Sequence, residues 1–161
     1  MDSTIIIGII IIAIIIVPIW YLMHSQGAGK RKLEKELASL GEKDGIRISE
    51  HESWGNKVIG LDRENEKAAF LIQGSPQSRI LMADLKKYTR CIVEKNMLDT
   101  GSKGNAIVFS SIFLRFLAKE KGAEDLLFPL FVDHEDMTLS NELQIAEEWS
   151  EKFKVILRRH N

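Results

Sequence analysis

An uncharged apolar segment from Thr4 to Met23, TIIIGIIIIAIIIVPIWYLM, constrains this chain more than any other feature of its sequence. At about 1.5 Å per residue, a helix of this length spans about 30 Å, the thickness of the hydrocarbon core of a bilayer. Trp20 and Tyr21 stand near its end, where aromatic rings favour the membrane interface, and transmembrane helices tolerate proline. The sequence therefore predicts a transmembrane helix over residues 4–23, after a short tail over residues 1–3.

Two other interpretations of this segment fit its composition less well. A cleaved export signal usually has a basic start and an apolar core of about 7–15 residues. Here Asp2 is the only charged side chain before the segment, and the apolar run is longer than such a core. A helix buried in a soluble protein rarely runs so far without a polar face. We therefore interpret the segment as a lasting anchor.

The charges on the two sides of the anchor predict its orientation. Lys30, Arg31 and Lys32 follow it within ten residues, whereas its other side offers only Asp2 and the terminal amine. Basic residues close to a membrane span remain on the cytoplasmic side. The sequence thus predicts a single-pass membrane protein with its N-terminus outside and its larger C-terminal part in the cytoplasm. Cys91 is the only cysteine, which agrees with a reducing compartment.

Residues 24–43 form a polar linker followed by a short amphipathic helix in this interpretation. Leu33, Leu37 and Leu40 recur at helical spacing, and Gly41 is suited to end the helix. Such a leucine stripe beside basic residues suits an interfacial helix on anionic lipid or a pairing helix on a partner. It also suits a helix packed on its own domain, or a solvated spacer, and three basic residues fall short of the usual lipid-binding cluster of about 4–8. The sequence favours the second pair of interpretations.

The remaining segment, residues 44–161, has the pattern of an α+β domain. Six or seven short apolar runs separated by turn signals predict strands, beginning with the alternating residues IRISEH. Two runs flank the polar segment Asp62–Glu66 and predict a hairpin, and Pro129 predicts an edge position or a bulge in a later strand. Ser140 is the predicted N-cap of a terminal helix. The apolar face of that helix contains Leu143, Ala146, Trp149, Phe153, Ile156 and Leu157.

This order of strands followed by one amphipathic helix, with Trp149 on the apolar face of that helix, resembles a pleckstrin-homology-like domain over residues 44–161. The resemblance implies a bent antiparallel barrel or sandwich, capped by the helix, that binds membrane lipids, peptides or other proteins. Members that bind phosphoinositides use basic residues around the first strand-to-strand loop. Here that stretch contains Lys57 together with Glu50 and Glu52, so the resemblance does not imply headgroup recognition.

The sequence offers little catalytic chemistry. The segment DHED, Asp133 to Asp136, holds metal-type ligands, but consecutive residues of an extended chain point to opposite faces, so a solvated turn is favoured. Cys91 lies in an apolar run, where a cysteine is usually an inert small hydrophobe. The sequence therefore predicts no catalytic residue, no metal site and no cofactor.

The sequence contains more candidate residues for binding than for catalysis. A net charge of −1 gives no general attraction to nucleic acid, and none is expected as a partner. Trp54, beside Gly55 and Asn56, is a candidate partner contact. The candidate contacts to anionic lipid or to a partner are Lys30, Arg31, Lys32, Arg79, Lys86, Lys87 and Arg90.

The function expected from these features is that of a membrane-held adaptor or assembly subunit, not an enzyme, whose cytoplasmic domain binds another protein. Two alternatives stay open: an enzymatic or ligand-binding site assembled from distant residues such as His51 or His134, and a module that senses anionic lipid. Association of two copies of the chain is also left open.

Overall fold

The computed structural model describes residues 29, 31–39, 42–74, 76–98, 108–136 and 139–160. Within these residues the chain is α+β, with two antiparallel sheets and a C-terminal helix, which confirms the predicted class. Sheet A has the strand order β1-β2-β3-β4, and sheet B has the order β5-β6-β7. Neighbouring strands within each sheet are therefore consecutive in the sequence.

The elements have the following bounds. Residues 31–39 are helical and are called α1. The strands of sheet A are β1 (Glu50–Trp54), β2 (Lys57–Asp62), β3 (Lys67–Ile72) and β4 (Arg79–Asp84). A 3-10 turn, Leu85–Lys87, leads to sheet B, which contains β5 (Tyr88–Met97), β6 (Phe109–Ala118) and β7 (Leu126–Val132). Helix α2 (Glu142–Leu157) closes the fold.

The predicted hairpin is confirmed, since β2 and β3 pair from Lys57 opposite Ile72 to Asp62 opposite Lys67. Asp62 organises its turn: Oδ1 accepts the backbone N–H groups of Glu64 at 3.0 Å and Asn65 at 2.9 Å. Oδ2 accepts a third backbone N–H, from Arg47, at 2.7 Å. Burial opposes ionisation of this carboxyl, but the hydrogen bonds outweigh it and lower the pKa of Asp62.

The main core lies between the inner faces of the two sheets and α2. The ring of Phe116 lies 5.0 Å from Phe128 and 5.2 Å from Phe153 on α2, both in edge-on geometry. Trp149 is fully buried as predicted, and its indole Nε1 donates to Glu52 Oε2 at 2.6 Å. The helix is therefore joined to sheet B by apolar packing and, through Glu52, to β1 of sheet A by a hydrogen bond.

A second core covers the outer face of sheet A. Leu33 and Leu37 of α1 are buried there against Val58, Ala69 and Leu71. This agrees with the interpretation of α1 as a helix packed on its own domain. Helix and sheet approach so closely that a Cβ added at Gly60 would lie 2.8 Å from Leu37 Cδ2.

Two sequence predictions need correction. Ser140 is not the N-cap of α2: Asn141 holds that position, and the Glu142 carboxylate accepts the Ser140 N–H at 2.6 Å. The first strand was predicted to begin with the segment IRISEH at residue 46, but it begins at Glu50. Residues 46–48 precede sheet A and do not take part in its strand pairing. The prediction for Pro129 is confirmed on both counts, since β7 is an edge strand and its register shifts beside this residue.

Several predicted features lie outside the described residues. These are the transmembrane segment over residues 4–23, the linker over 24–28, Lys30, Leu40, Gly41 and most of the turn-rich connection over 96–105. Among the residues that the structure does describe, no helix combines the length and the hydrophobicity that crossing a bilayer requires.

Replacing Leu37 with alanine should destabilise the fold by about 2–5 kcal/mol, because it leaves a cavity between α1 and sheet A. The measurement is the free energy of unfolding from urea titration of the full chain in detergent. The matched control is Val155→Ala on the outer surface of α2, where the side chain is 55% exposed and a change within about 0.5 kcal/mol is expected. Equal effects of the two variants would contradict the packing of α1.

Candidate functional site

A groove between β5 and α2 is the candidate binding site. Strand β5 is an edge of sheet B: β6 pairs with one side of it, and no strand in the described ranges pairs with the other. Helix α2 lies along that side, with Ser150 Oγ donating to the Cys91 carbonyl at 3.3 Å and Lys95 Nζ lying 2.8 Å from Glu147 Oε1. Part of this edge is therefore already bonded to α2, and an extended chain could add to β5 only where the helix leaves a groove.

The groove has a volume of about 450 Å³. Cys91, Ile92 and Leu157 give it an apolar lining, and Ile92 is 38% exposed in the middle of the strand. Thr89, Arg90, Lys154 and Arg158 complete its walls. A side chain entering the groove would therefore meet apolar surface between positive charges.

The electrostatics of the groove are one-sided. Arg90 and Arg158 are exposed, and within the described part of the chain neither makes an ion pair. Lys154 pairs with Glu151 at 2.6 Å, a contact that also lowers the pKa of the Glu151 carboxyl. No acidic side chain lines the groove. Its rim should therefore attract negative charge.

Cys91 lies in the lining of the groove without being a reactive thiol. Burial raises its pKa to about 12, and the hydrogen bond involving Ser150 and the charge of Lys154 offset only part of that rise. The thiolate, which is the nucleophilic form, is therefore scarce at neutral pH. This agrees with the sequence-based interpretation of Cys91 as an inert hydrophobe.

The structure separates the basic residues that the sequence grouped together. Arg79 opens β4 opposite Ile72, whereas Lys86 and Lys87 follow the other end of that strand. The six residues of β4 place these two ends about 17 Å apart, at about 3.3 Å per residue. Of the group, only Arg90 lines the groove, while Lys86 and Lys87 border a second hollow beside the β6–β7 turn. Arg31 and Lys32 are exposed on α1, across the domain from the groove.

Trp54 is not the exposed contact residue that the sequence suggested. It ends β1 opposite Lys57, is only 6% exposed, and packs with its ring centroid 5.9 Å from that of Phe70. Its indole Nε1 is buried and finds no hydrogen-bond partner in the described part of the chain. Gly55 and Asn56, which follow it in the turn, are exposed. The polarity of these neighbours therefore did not indicate that the Trp54 ring is buried.

The acidic segment before α2 contributes an ion pair to the fold through Asp136. Asp136 Oδ2 lies 2.5 Å from Lys57 Nζ, which is only 2% exposed and also donates to the Leu130 carbonyl at 3.1 Å. The same oxygen accepts the Val132 N–H at 2.7 Å. Asp133, His134 and Glu135 are exposed, and no group of metal-type ligands converges anywhere in the described residues.

His51, named among the residues of an alternative enzymatic site, lies on sheet A. Its Nε2 is 3.5 Å from Glu34 Oε2 of α1, and its side chain is largely open to solvent. His51 and His134 both lie away from the lining of the groove.

Sequence reasoning missed the helical side of the groove. Lys154, in the last turn of α2, and Arg158, the residue after the helix, are spaced i and i+4, and this spacing places them on one face beside the apolar stripe. Arg90, which lines the same groove from β5, was named as a candidate contact from the sequence, but Lys154 and Arg158 were not. The periodicity of α2 would have suggested a basic edge, but not which strand lies next to it.

Comparisons of the chain with protein-family models, with curated proteins and with solved structures find no match.

Replacing Asp136 with asparagine should destabilise the domain by about 3–5 kcal/mol, because the buried Lys57 ammonium loses its counter-charge. Asp133→Asn is the matched control, since this exposed side chain should change the free energy of unfolding by less than about 0.5 kcal/mol. Urea unfolding of both variants checks the prediction. A small loss in Asp136→Asn would show that Lys57 is not held by this pair.

Cys91 should resist alkylation in the folded chain. At pH 8, iodoacetamide is expected to modify it far more slowly than a free cysteine, because a pKa of about 12 leaves almost no thiolate. Mass spectrometry of the native and the urea-unfolded chain measures both rates. Modification of the native chain at the rate of the unfolded chain would contradict the burial of this thiol.

Proposed function

We propose that this chain is a single-pass membrane-anchored adaptor whose cytoplasmic domain, of the pleckstrin-homology-like class, binds an acidic, extended segment of another protein in the groove between β5 and α2. The observation that carries the proposal is the unpaired edge of β5 beside a groove with an apolar lining and a basic rim. An extended segment added to such an edge gains main-chain hydrogen bonds, while the pockets beside it select side chains.

The charge of the groove is the argument for the chemistry of the partner. The rim carries Arg90, Lys154 and Arg158, and only Lys154 has an acidic neighbour at ion-pair distance in the described structure. Opposite charges speed association and fix the register of a bound chain, even where they add little to affinity. We therefore assign aspartate- or glutamate-rich sequence to the partner, with an apolar side chain placed over Ile92.

A protein partner is favoured over a lipid surface. A lipid-sensing module needs its basic residues on one accessible face, whereas Arg79 and the pair Lys86–Lys87 stand at opposite ends of β4. The groove is also a concave site with an apolar lining, which suits a peptide more than a flat layer of headgroups.

The assignment to the pleckstrin-homology-like class rests on architecture. Four consecutive antiparallel strands, three further strands and a closing helix with Trp149 in the core follow the order of elements of that class. Membrane anchorage rests on the uncharged segment over residues 4–23, and the cytoplasmic placement of the domain rests on the basic residues that follow it.

A photo-crosslinking amino acid at position 92 of the full chain in its native membrane tests the function. It should yield a protein adduct whose cross-linked peptide, identified by mass spectrometry, is acidic. The same group at position 155, also an exposed aliphatic site but one that borders a different hollow, is the control and should yield little of that adduct. Excess polyglutamate should reduce the yield, and polylysine should not.

The charge-reversed variant Arg90→Glu with Arg158→Glu should lose most of the adduct at position 92 while keeping the unfolding midpoint of the parent chain. Both side chains are exposed, so their replacement should not disturb the core. The proposal fails if position 92 captures only lipid, if positions 92 and 155 behave alike, or if charge reversal leaves the yield unchanged.

A further inference from the structure

Helix α1 crosses the outer face of sheet A in a defined direction. Near the start of α1, Glu34 Oε1 accepts a hydrogen bond from Ser53 Oγ at 3.1 Å, and Ser53 lies beside the β1–β2 turn. One turn later, Leu37 lies over Gly60 in the middle of β2. After α1, the Asp44 carbonyl accepts from Lys67 Nζ at 3.4 Å, at the start of β3.

These contacts distinguish the two ends of the sheet. The Gly55 end contains the β1–β2 turn, the last residue of β3 and the first residue of β4. The Glu66 end contains the β2–β3 turn and the last residue of β4. Helix α1 starts toward the Gly55 end, and the chain after it arrives at the Glu66 end.

The groove lies at the Glu66 end. Its strand β5 begins directly after the 3-10 turn that follows Asp84, the partner of Lys67. Its helix also ends there, because His160, just beyond α2, lies with Nε2 2.5 Å from Glu66 Oε2. The groove-lining Arg158 is two residues before His160. The start of α1 and the groove are therefore at opposite ends of sheet A.

The tether between the predicted anchor and α1 is short. Five residues, 24–28, separate Met23 from Gly29, and six fully extended steps cover at most about 22 Å. Strand β2 adds about 17 Å between the Gly55 end and the Glu66 end, at about 3.3 Å per residue. The first turn of α1 is thus held near the bilayer. Because this turn packs at the Gly55 end of sheet A, the tether is attached to that end of the domain.

We infer that α1 is an orienting joint: it turns the Gly55 end of the domain toward the membrane and presents the β5–α2 groove to the aqueous phase. The inference rests on the proposed anchor and deepens the proposed function, since it specifies the source of the partner. An acidic segment of a protein arriving from the cytoplasm reaches the groove directly, whereas the membrane-flanking segment of a neighbouring chain would have to pass the length of sheet A.

The Gly55 end carries both positive and negative side chains, so its charge does not strongly attract or repel an anionic membrane. Arg79 is exposed there, and so is Glu135, which borders the same hollow as Gly55 and Asn56. Adhesion of this end to anionic lipid is therefore not needed for the inferred orientation, since α1 attaches the tether to the Gly55 end.

Spin labels on the full chain in lipid vesicles test the orientation. Gln77→Cys, beside the start of β4, marks the Gly55 end, and Lys121→Cys, in the β6–β7 turn, marks the Glu66 end, where the Lys119 N–H donates to the Lys87 carbonyl. Both are made in a Cys91→Ala background. With nickel-chelating lipid headgroups as the relaxing agent, the label at position 77 should relax several-fold more strongly than the label at position 121. Equal relaxation, or the reverse order, would overturn the inference.

Two variants test whether α1 is the cause. Leu33→Asp with Leu37→Asp should detach the helix, and a long glycine–serine insertion between Gly27 and Ala28 should lengthen the tether while leaving every described contact intact. The difference between the two labels should shrink in both variants. If the double aspartate variant unfolds, the insertion variant alone is the test. An unchanged difference in relaxation between the two labels in the insertion variant would show that something other than the tether and α1 orients the domain.

Alkaline extraction of the same vesicles separates the two ways of failing. Release of the chain would overturn the proposed anchor and the inference with it. Retention of the chain with equal relaxation at positions 77 and 121 would overturn the orientation alone.

Discussion

Burial of sheet A on both faces is the constraint on which the rest of the structure depends. All six residues of β2 are buried, and five of the six in β3 are buried as well. Their inner side chains meet sheet B and α2, and their outer side chains meet Leu33 and Leu37 of α1. A fully buried leucine contributes about 1.5–3 kcal/mol, so α1 contributes a large part of the stability of a small domain. Removing the chain before Asp44 would expose a strip of valine, alanine and leucine to water.

The burial of the outer face of sheet A also fixes the position of α1 on the domain. A helix held by a single contact could move on the sheet, whereas α1 is held by Leu33 and Leu37 and by the hydrogen bond between Glu34 and Ser53. In the proposed orientation, the contacts that complete the second core also set the position of the groove relative to the membrane. Because Gly60 has no side chain, the helix approaches the sheet closely enough for those contacts to form.

Local patterns in the sequence predicted local structure well. The Asp62–Glu66 hairpin, the apolar stripe of α2 and the edge position of Pro129 each follow from residues close together in the chain. Features that depend on residues far apart were not predictable in this way. The pair between Lys57 and Asp136 joins segments 79 residues apart, and a buried lysine has no sequence pattern of its own. The groove likewise needs β5 and α2 to meet, so only Arg90 was identified in advance.

Amide hydrogen exchange of the full chain in lipid nanodiscs measures whether α1 is packed on sheet A. An isolated helix as short as α1 is marginal in water, so its amides are protected only if the helix is packed on the sheet. The account predicts that residues 33–39 exchange slowly, that their protection approaches that of β2 and β3, and that it is lost in Leu37→Asp. Exchange of those amides at the rate of an unstructured peptide, beside a protected sheet A, would contradict it.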